Sequence, residues 1–129
     1  MAYTHLEMCA APELPDLPEP AGLRFRPLAF EPAPYRDLFR RVGQDWLWYY
    51  RLTLSDADLG AHFADPGVRL FTLSKDGQDE AMLELDFRTK GACELAYFGL
   101  TPALIGTGAG RYLMRQATRL AWARPISRM

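Results

Sequence analysis

Glu94-Leu-Ala-Tyr-Phe-Gly-Leu-Thr-Pro-Ala-Leu-Ile-Gly-Thr-Gly-Ala-Gly-Arg-Tyr-Leu-Met114 is the stretch on which the fold turns. Its first seven residues read as a strand. Gly106, Gly108 and Gly110 then crowd a turn, and Leu113, Ala117, Leu120 and Ala121 follow at helical spacing. Glycines at the start of a helix leave backbone N–H groups unshielded by Cβ atoms, at the positive end of the helix dipole. An anionic phosphate is held well there. Spacing sets two phosphate motifs aside. A nucleotide P-loop needs Lys and then Ser or Thr after its last glycine, and Gly110 is followed by Arg111 and Tyr112. A dinucleotide fingerprint needs its third glycine one residue later and a parallel strand-helix-strand unit around it.

Upstream of this run the period of the sequence changes twice. Seven of the ten prolines fall between Pro12 and Pro34, a density that excludes helix and interior strand, so residues 12–34 read as an extended connector. Residues 4–9 are expected as a short strand before it, and Leu23-Arg-Phe-Arg-Pro27 as a brief strand within it. A helix is expected from Ala33, with Pro34 in its first turn, Leu38, Phe39 and Val42 on its apolar face and Gly43 at its end. Trp46-Leu-Trp-Tyr-Tyr50 follows as an aromatic connector. Ser55-Asp-Ala-Asp58 then caps a second helix, with Leu59 and Phe63 inward and a stop before Asp65-Pro-Gly67.

From Val68 the pattern is that of strands. Val68–Ser74 is one, Lys75-Asp-Gly-Gln78 carries a hairpin turn, and Ala81–Arg88 alternates Ala, Leu, Leu, Phe against Met, Glu, Asp, Arg. That alternation predicts a strand with one face in a core. A turn at Thr89-Lys-Gly91 leads into Ala92–Leu100 and so into the glycine segment. The order predicts one α+β domain over residues 1–129, a mainly antiparallel mixed sheet flanked by helices, with its core in 35–129.

With 49% hydrophobic and 24% charged residues, the chain has material for one sizeable core. A net charge of −1 supplies no electrostatic footprint for nucleic acid or an anionic membrane. No stretch reaches the roughly 18 apolar residues of a membrane span. Cys9 and Cys93 lack metal-ligand or redox spacing, and the first residues lack a signal-peptide pattern, so no metal and a cytoplasmic location are expected.

The strand, turn and helix together resemble motif A of the GNAT superfamily of acyl-coenzyme A dependent N-acyltransferases, whose signature is Q/R-x-x-G-x-G/A. Ile105-Gly-Thr-Gly-Ala-Gly110 occupies it, with Gly108 and Gly110 at the signature glycines and Arg111 opening the helix. Glu94–Leu100 looks like the family's fourth strand, and the resemblance extends from about Ala33 to Ala123. It implies acetyl transfer from acetyl-CoA to a primary amine of a small molecule or protein, with the cofactor motif at 94–114. Phe98, Gly99, Leu100, Ile105, Gly106, Thr107, Gly108, Ala109, Gly110 and Arg111 are the implied acetyl-CoA contacts. Ile105 departs from the signature Gln or Arg, so that side chain contributes nothing to a pyrophosphate, whereas the amides of Gly106, Gly108, Ala109, Gly110 and Arg111 remain.

The resemblance also implies a base and an acceptor wall. Glu94 stands where some members place a catalytic glutamate; sharing a strand face with Ala96 and Phe98, it is expected in apolar surroundings that raise its pKa. Trp48 and Tyr49 fall where the family builds its acceptor wall, and Glu84, with Asp86 on the same strand face, is a candidate for binding a cationic acceptor or an alternative base. A solvated strand face also accounts for that pair, and is the reading the residues favour. His5 and His62, without a nearby partner in the sequence, are assigned no role. The family fold continues with strands beyond the last helix, so truncation, an exposed sheet edge and homo-oligomer formation through it are expected. The second function class left open is a catalytically incomplete fragment that binds coenzyme A or another protein.

Overall fold

The structure, a computed structural model, describes residues 8–13, 17–43 and 50–129. Strand β1 (Leu23–Pro27) is followed by helix α1 (Pro32–Gly43), a 3-10 turn (Tyr50–Thr53) and helix α2 (Asp56–Ala64). Strands β2 (Val68–Lys75), β3 (Gln78–Asp79), β4 (Ala81–Asp86) and β5 (Glu94–Leu100) come next, then a 3-10 turn (Pro102–Leu104) and helix α3 (Ala109–Trp122). The antiparallel sheet runs β1-β2-β4-β5, with β3 a short extension paired to β2. The expected α+β class holds, and α1 begins one residue before the expected Ala33. The strand expected at 4–9 falls largely outside the described residues, and Met8 and Cys9 are not in a strand.

Local chemistry explains the joints. The Ser55 hydroxyl accepts a hydrogen bond from the Asp58 amide at 3.1 Å and caps α2. Asp76 and Gly77 both have positive φ, 52° and 80°, the backbone of the tight hairpin turn that joins two right-twisted strands. Arg26 and Ser74 converge on Asp79, which fastens β1 to the hairpin beside this turn.

The sheet has helices on both faces, and so has two cores. On one, Leu83 and Leu85 of β4 and Leu73 of β2 meet Leu113, Ala117 and Ala121 of α3. On the other, Met82 and Leu70 meet Tyr35, Leu38, Phe39 and Val42 of α1 and Leu59 of α2. The expectation of a single buried face on β4 is therefore corrected. All six of its residues are buried, because a central strand sandwiched between helices has no solvated side.

Strand β5 is the sheet's edge, and it is irregular. The register runs Glu84↔Tyr97 and then Leu85↔Leu95, so Ala96 is an extra residue opposite none. Such a β-bulge reverses which side chains share a face beyond it. Leu95 and Phe98 consequently both pack on the α3 core, and Tyr97 packs on the α1/α2 core. After α3 the chain turns back, and Ser127 N–H and Arg128 C=O pair with Gly91 and Cys93 in a parallel bridge just before β5 begins. The tail thus covers the outer side of the sheet only as far as Cys93. Among the described residues, Glu94–Leu100 has no further strand on that side.

Candidate active site

The site has two halves that meet along β5. The first is the glycine turn. Thr101 closes β5 by donating its amide to the Glu80 carbonyl at 2.9 Å, and its hydroxyl bonds the Glu80 carboxylate, which Arg41 of α1 also holds at 3.0 Å. Glu80 is buried, so this knot fixes the level at which the chain leaves the sheet. A short 3-10 turn then delivers Gly106 and Gly108, with φ of +83° and +82°. Only glycine adopts that backbone without cost, and two such residues in three let the chain reverse and enter α3. Gly110 lies so close to β5 that a Cβ there would stand 3.3 Å from Leu100 Cδ1. Helix and strand are therefore in near contact beside the turn.

Hydrogen bonding in the turn separates the amides. Thr107 N–H bonds Leu104 C=O, and Ala109 N–H reaches the Thr107 hydroxyl at 3.3 Å. The Ala109 amide is therefore engaged, which corrects the expectation that it stands open. Among the described residues, the N–H groups of Gly106, Gly108, Gly110 and Arg111 meet no acceptor. This is the set a helix start leaves over. Gly106, Thr107, Gly108 and Arg111 are exposed, and so is Ile105 at 63%. The antiparallel ladder alternates, so the inward Thr101 amide places the N–H and C=O groups of Phe98 and Leu100 on the open outer edge, with Gly99 turned inward to β4. An acyl-CoA fits this arrangement: amides for a pyrophosphate at the turn, and an unpaired strand edge for an amide-bearing arm.

The second half is polar and lies on the α1/α2 face. Glu84 is fully buried, and its carboxylate takes both Nη atoms of Arg51 at 2.8 and 2.9 Å. His62 Nε2 lies 2.9 Å from Glu84 Oε2, and Arg51 also bonds the Tyr35 hydroxyl at 3.2 Å. The guanidinium stacks over the Tyr97 ring, 4.6 Å from its centre. Burial opposes the charge on Arg51, but the Glu84 hydrogen bonds prevail and its pKa is raised. Burial pushes the Tyr35 hydroxyl well up, keeping it neutral. Asp86, at the end of β4, is bound by the Arg88 side chain, whose hydrogen bonds hold its carboxyl below the usual carboxylate range.

Three readings change here. Glu84 and Asp86 do not form a solvated pair: both are buried, and each is occupied by an arginine. His62 has a partner 22 residues away in sequence. Glu94 is exposed, and the bulge places it opposite Asp86, on the face of Tyr97 and not of Phe98, so the apolar cover expected around it is absent. Trp48 and Tyr49 lie outside the described residues, immediately before the turn that carries Arg51. Arg51 had no sequence signal beyond its place after that aromatic run.

No protein-family model and no curated protein matches this sequence. Solved structures do. An IAA acetyltransferase from Bacillus cereus superposes with a TM-score of 0.56 at 15% identity, over 78% of this chain and 59% of its own. The aminoglycoside 6'-N-acetyltransferase AAC(6')-IG of Acinetobacter haemolyticus gives 0.55 at 22% identity, covering 78% and 72%. A GNAT family acetyltransferase of Staphylococcus aureus gives 0.58 at 10% identity, over 81% and 82%. The fold is that of the GNAT acetyltransferases, as the resemblance in the sequence implied. The chain spans about three fifths of the length of the Bacillus cereus protein.

Proposed function

We propose that this domain is an N-acetyltransferase that takes acetyl-CoA as co-substrate and a primary amine of a small molecule or protein as acceptor. The observation that carries the reading is the junction of β5 with α3. Four unengaged amides, on Gly106, Gly108, Gly110 and Arg111, stand at a helix start directly beyond a strand edge whose Phe98 and Leu100 main-chain groups are open. Phosphates suit the first, and a pantetheine arm, with its own amides, suits the second by adding as a strand would. Arg111 is exposed at the first turn and adds a positive charge beside the amides. Solved structures of the same fold include acetyltransferases, which supports the reaction class.

The amine must lose a proton as it attacks, and Glu94 is the base that the resemblance nominates. Trp48 and Tyr49 are proposed as acceptor contacts from the same resemblance. One observation favours the alternative of a domain that binds coenzyme A without transferring acetyl groups. Ile105 is an exposed apolar side chain at the signature position where the family supplies Gln or Arg. Titration calorimetry and thermal shift with acetyl-CoA test both readings. Saturable binding with a rise in melting temperature is expected, in line with ligand linkage. Absence of any shift at millimolar acetyl-CoA sinks both, and binding with no acetyl-CoA consumed across a panel of primary amines leaves the alternative.

A further inference from the structure

We infer that His62, held by Glu84, is the proton acceptor of this site, in place of Glu94; the inference rests on the acetyltransferase reading above. Glu84 is an ion-paired carboxylate, with both oxygens bonded to Arg51. An ionised carboxylate only accepts hydrogen bonds, so the ring nitrogen facing it, Nε2 at 2.9 Å, carries the hydrogen. The neutral ring then presents a lone pair at Nδ1. That atom has no hydrogen-bond partner among the described residues and is not buried, and the side chain is 16% exposed. A buried carboxylate that fixes the tautomer, with the other ring nitrogen at the surface, is how an orienting group prepares a histidine base.

Location supports the role. Glu84 stands opposite Tyr97, the residue just beyond the bulged Ala96, so the pair lies on the α1/α2 side of β5, midway along the open edge. A coenzyme A arm running down that edge from the glycine turn would bring its thioester to this level. Charged groups near His62 include Arg51, which is committed to Glu84, and Asp86, which is committed to Arg88; Asp58 and Asp65 lie on or at the end of its own helix. Glu94 is exposed at the outset of the strand. In the step, the amine nitrogen forms a bond to the thioester carbonyl carbon and the carbon–sulfur bond breaks. The sulfur leaves with the electron pair as thiolate, and the amine proton passes to His62 Nδ1 and on to the thiolate or solvent.

The test uses the full chain with 15N-labelled histidine. The tautomer read by two-bond nitrogen–proton correlation is expected to be Nε2–H at His62, assigned by loss of its signals in H62Q. Carbethoxylation of His62, read by peptide mass, is expected to slow when acetyl-CoA is bound. With benzylamine as the probe amine, H62Q is expected to lose about 100-fold or more in kcat, with KM for acetyl-CoA little changed. An Nδ1–H tautomer, an unchanged modification rate with acetyl-CoA bound, or wild-type turnover in H62Q overturns the inference. Failure of the wild-type chain to bind acetyl-CoA overturns the acetyltransferase reading instead, and binding without turnover leaves His62 to be decided by the tautomer and protection results.

Discussion

The two faces of the central sheet are built on different principles. Against α3 the core is chiefly apolar, with Leu83, Leu85, Leu113 and Ala117 closed from solvent and the Cys93 thiol buried among such side chains. Against α1 and α2 a comparable apolar layer surrounds a buried Glu84–Arg51 pair with His62 and Tyr35 attached. The first face supports the glycine turn and needs only to be rigid. The second accepts the desolvation of two charges, a cost that hydrophobic replacement avoids in many proteins. Among the described residues, a polar knot kept at such cost lies on one face of the sheet, beside an irregular strand edge, and sets that face apart from the other.

The largest effect should come from breaking the polar face. Arg51→Ala leaves Glu84 buried without its counter-charge and is expected to destabilise the domain by about 3–5 kcal/mol in urea titration. Replacing both partners, as in Arg51→Met with Glu84→Leu, should recover much of that stability while abolishing the fixed tautomer of His62. A double variant as unstable as the single one would show that the pair is not what the α1/α2 face depends on. On the other face, Leu83→Ala should cost about 2–5 kcal/mol through a cavity alone. It should leave the state of His62 unchanged by the same nitrogen correlation.

Smaller effects probe the turn and the buried thiol. Gly108→Ala meets no neighbour within 4 Å, so its cost is the left-handed backbone alone, about 1 kcal/mol by thermal unfolding. Acetyl-CoA affinity should fall by more than that strain accounts for, since the new methyl stands among the free amides. Burial pushes the Cys93 thiol up to about 11. The folded state therefore keeps that proton where an unfolded chain loses it. Its contribution to stability is complete below about pH 8.5, the ordinary thiol value, and is lost as pH rises towards 11. Iodoacetamide at pH 8 should label exposed Cys9 and spare Cys93; equal labelling of both would place the α3 face open to solvent.

The same contrast decided what the residues disclosed before folding. Ser55 three positions before Asp58, Asp76-Gly77, and the glycines ahead of α3 are local devices, and each element they bound was readable. The α3 face was readable too, since its stripe repeats within one helix. The polar face was not. Arg51, His62 and Glu84 lie on three elements, and nothing local brings together residues 33 and 22 positions apart. The bulge at Ala96 was equally silent, because an extra residue shows itself only against a partner strand. It turned Glu94 to a different face from the one its spacing gave.

One small contact reaches further than its size. Met8 and Met129 exchange both backbone hydrogen bonds, at 2.9 and 2.8 Å, and the tail they hold is the segment that lies beside Gly91–Cys93. The two ends of the described chain are thereby buckled together, and the buckle closes just below the gap along β5. Residues 8–13, remote in sequence from every group discussed above, are in this way tied through the tail to the segment from which β5 begins.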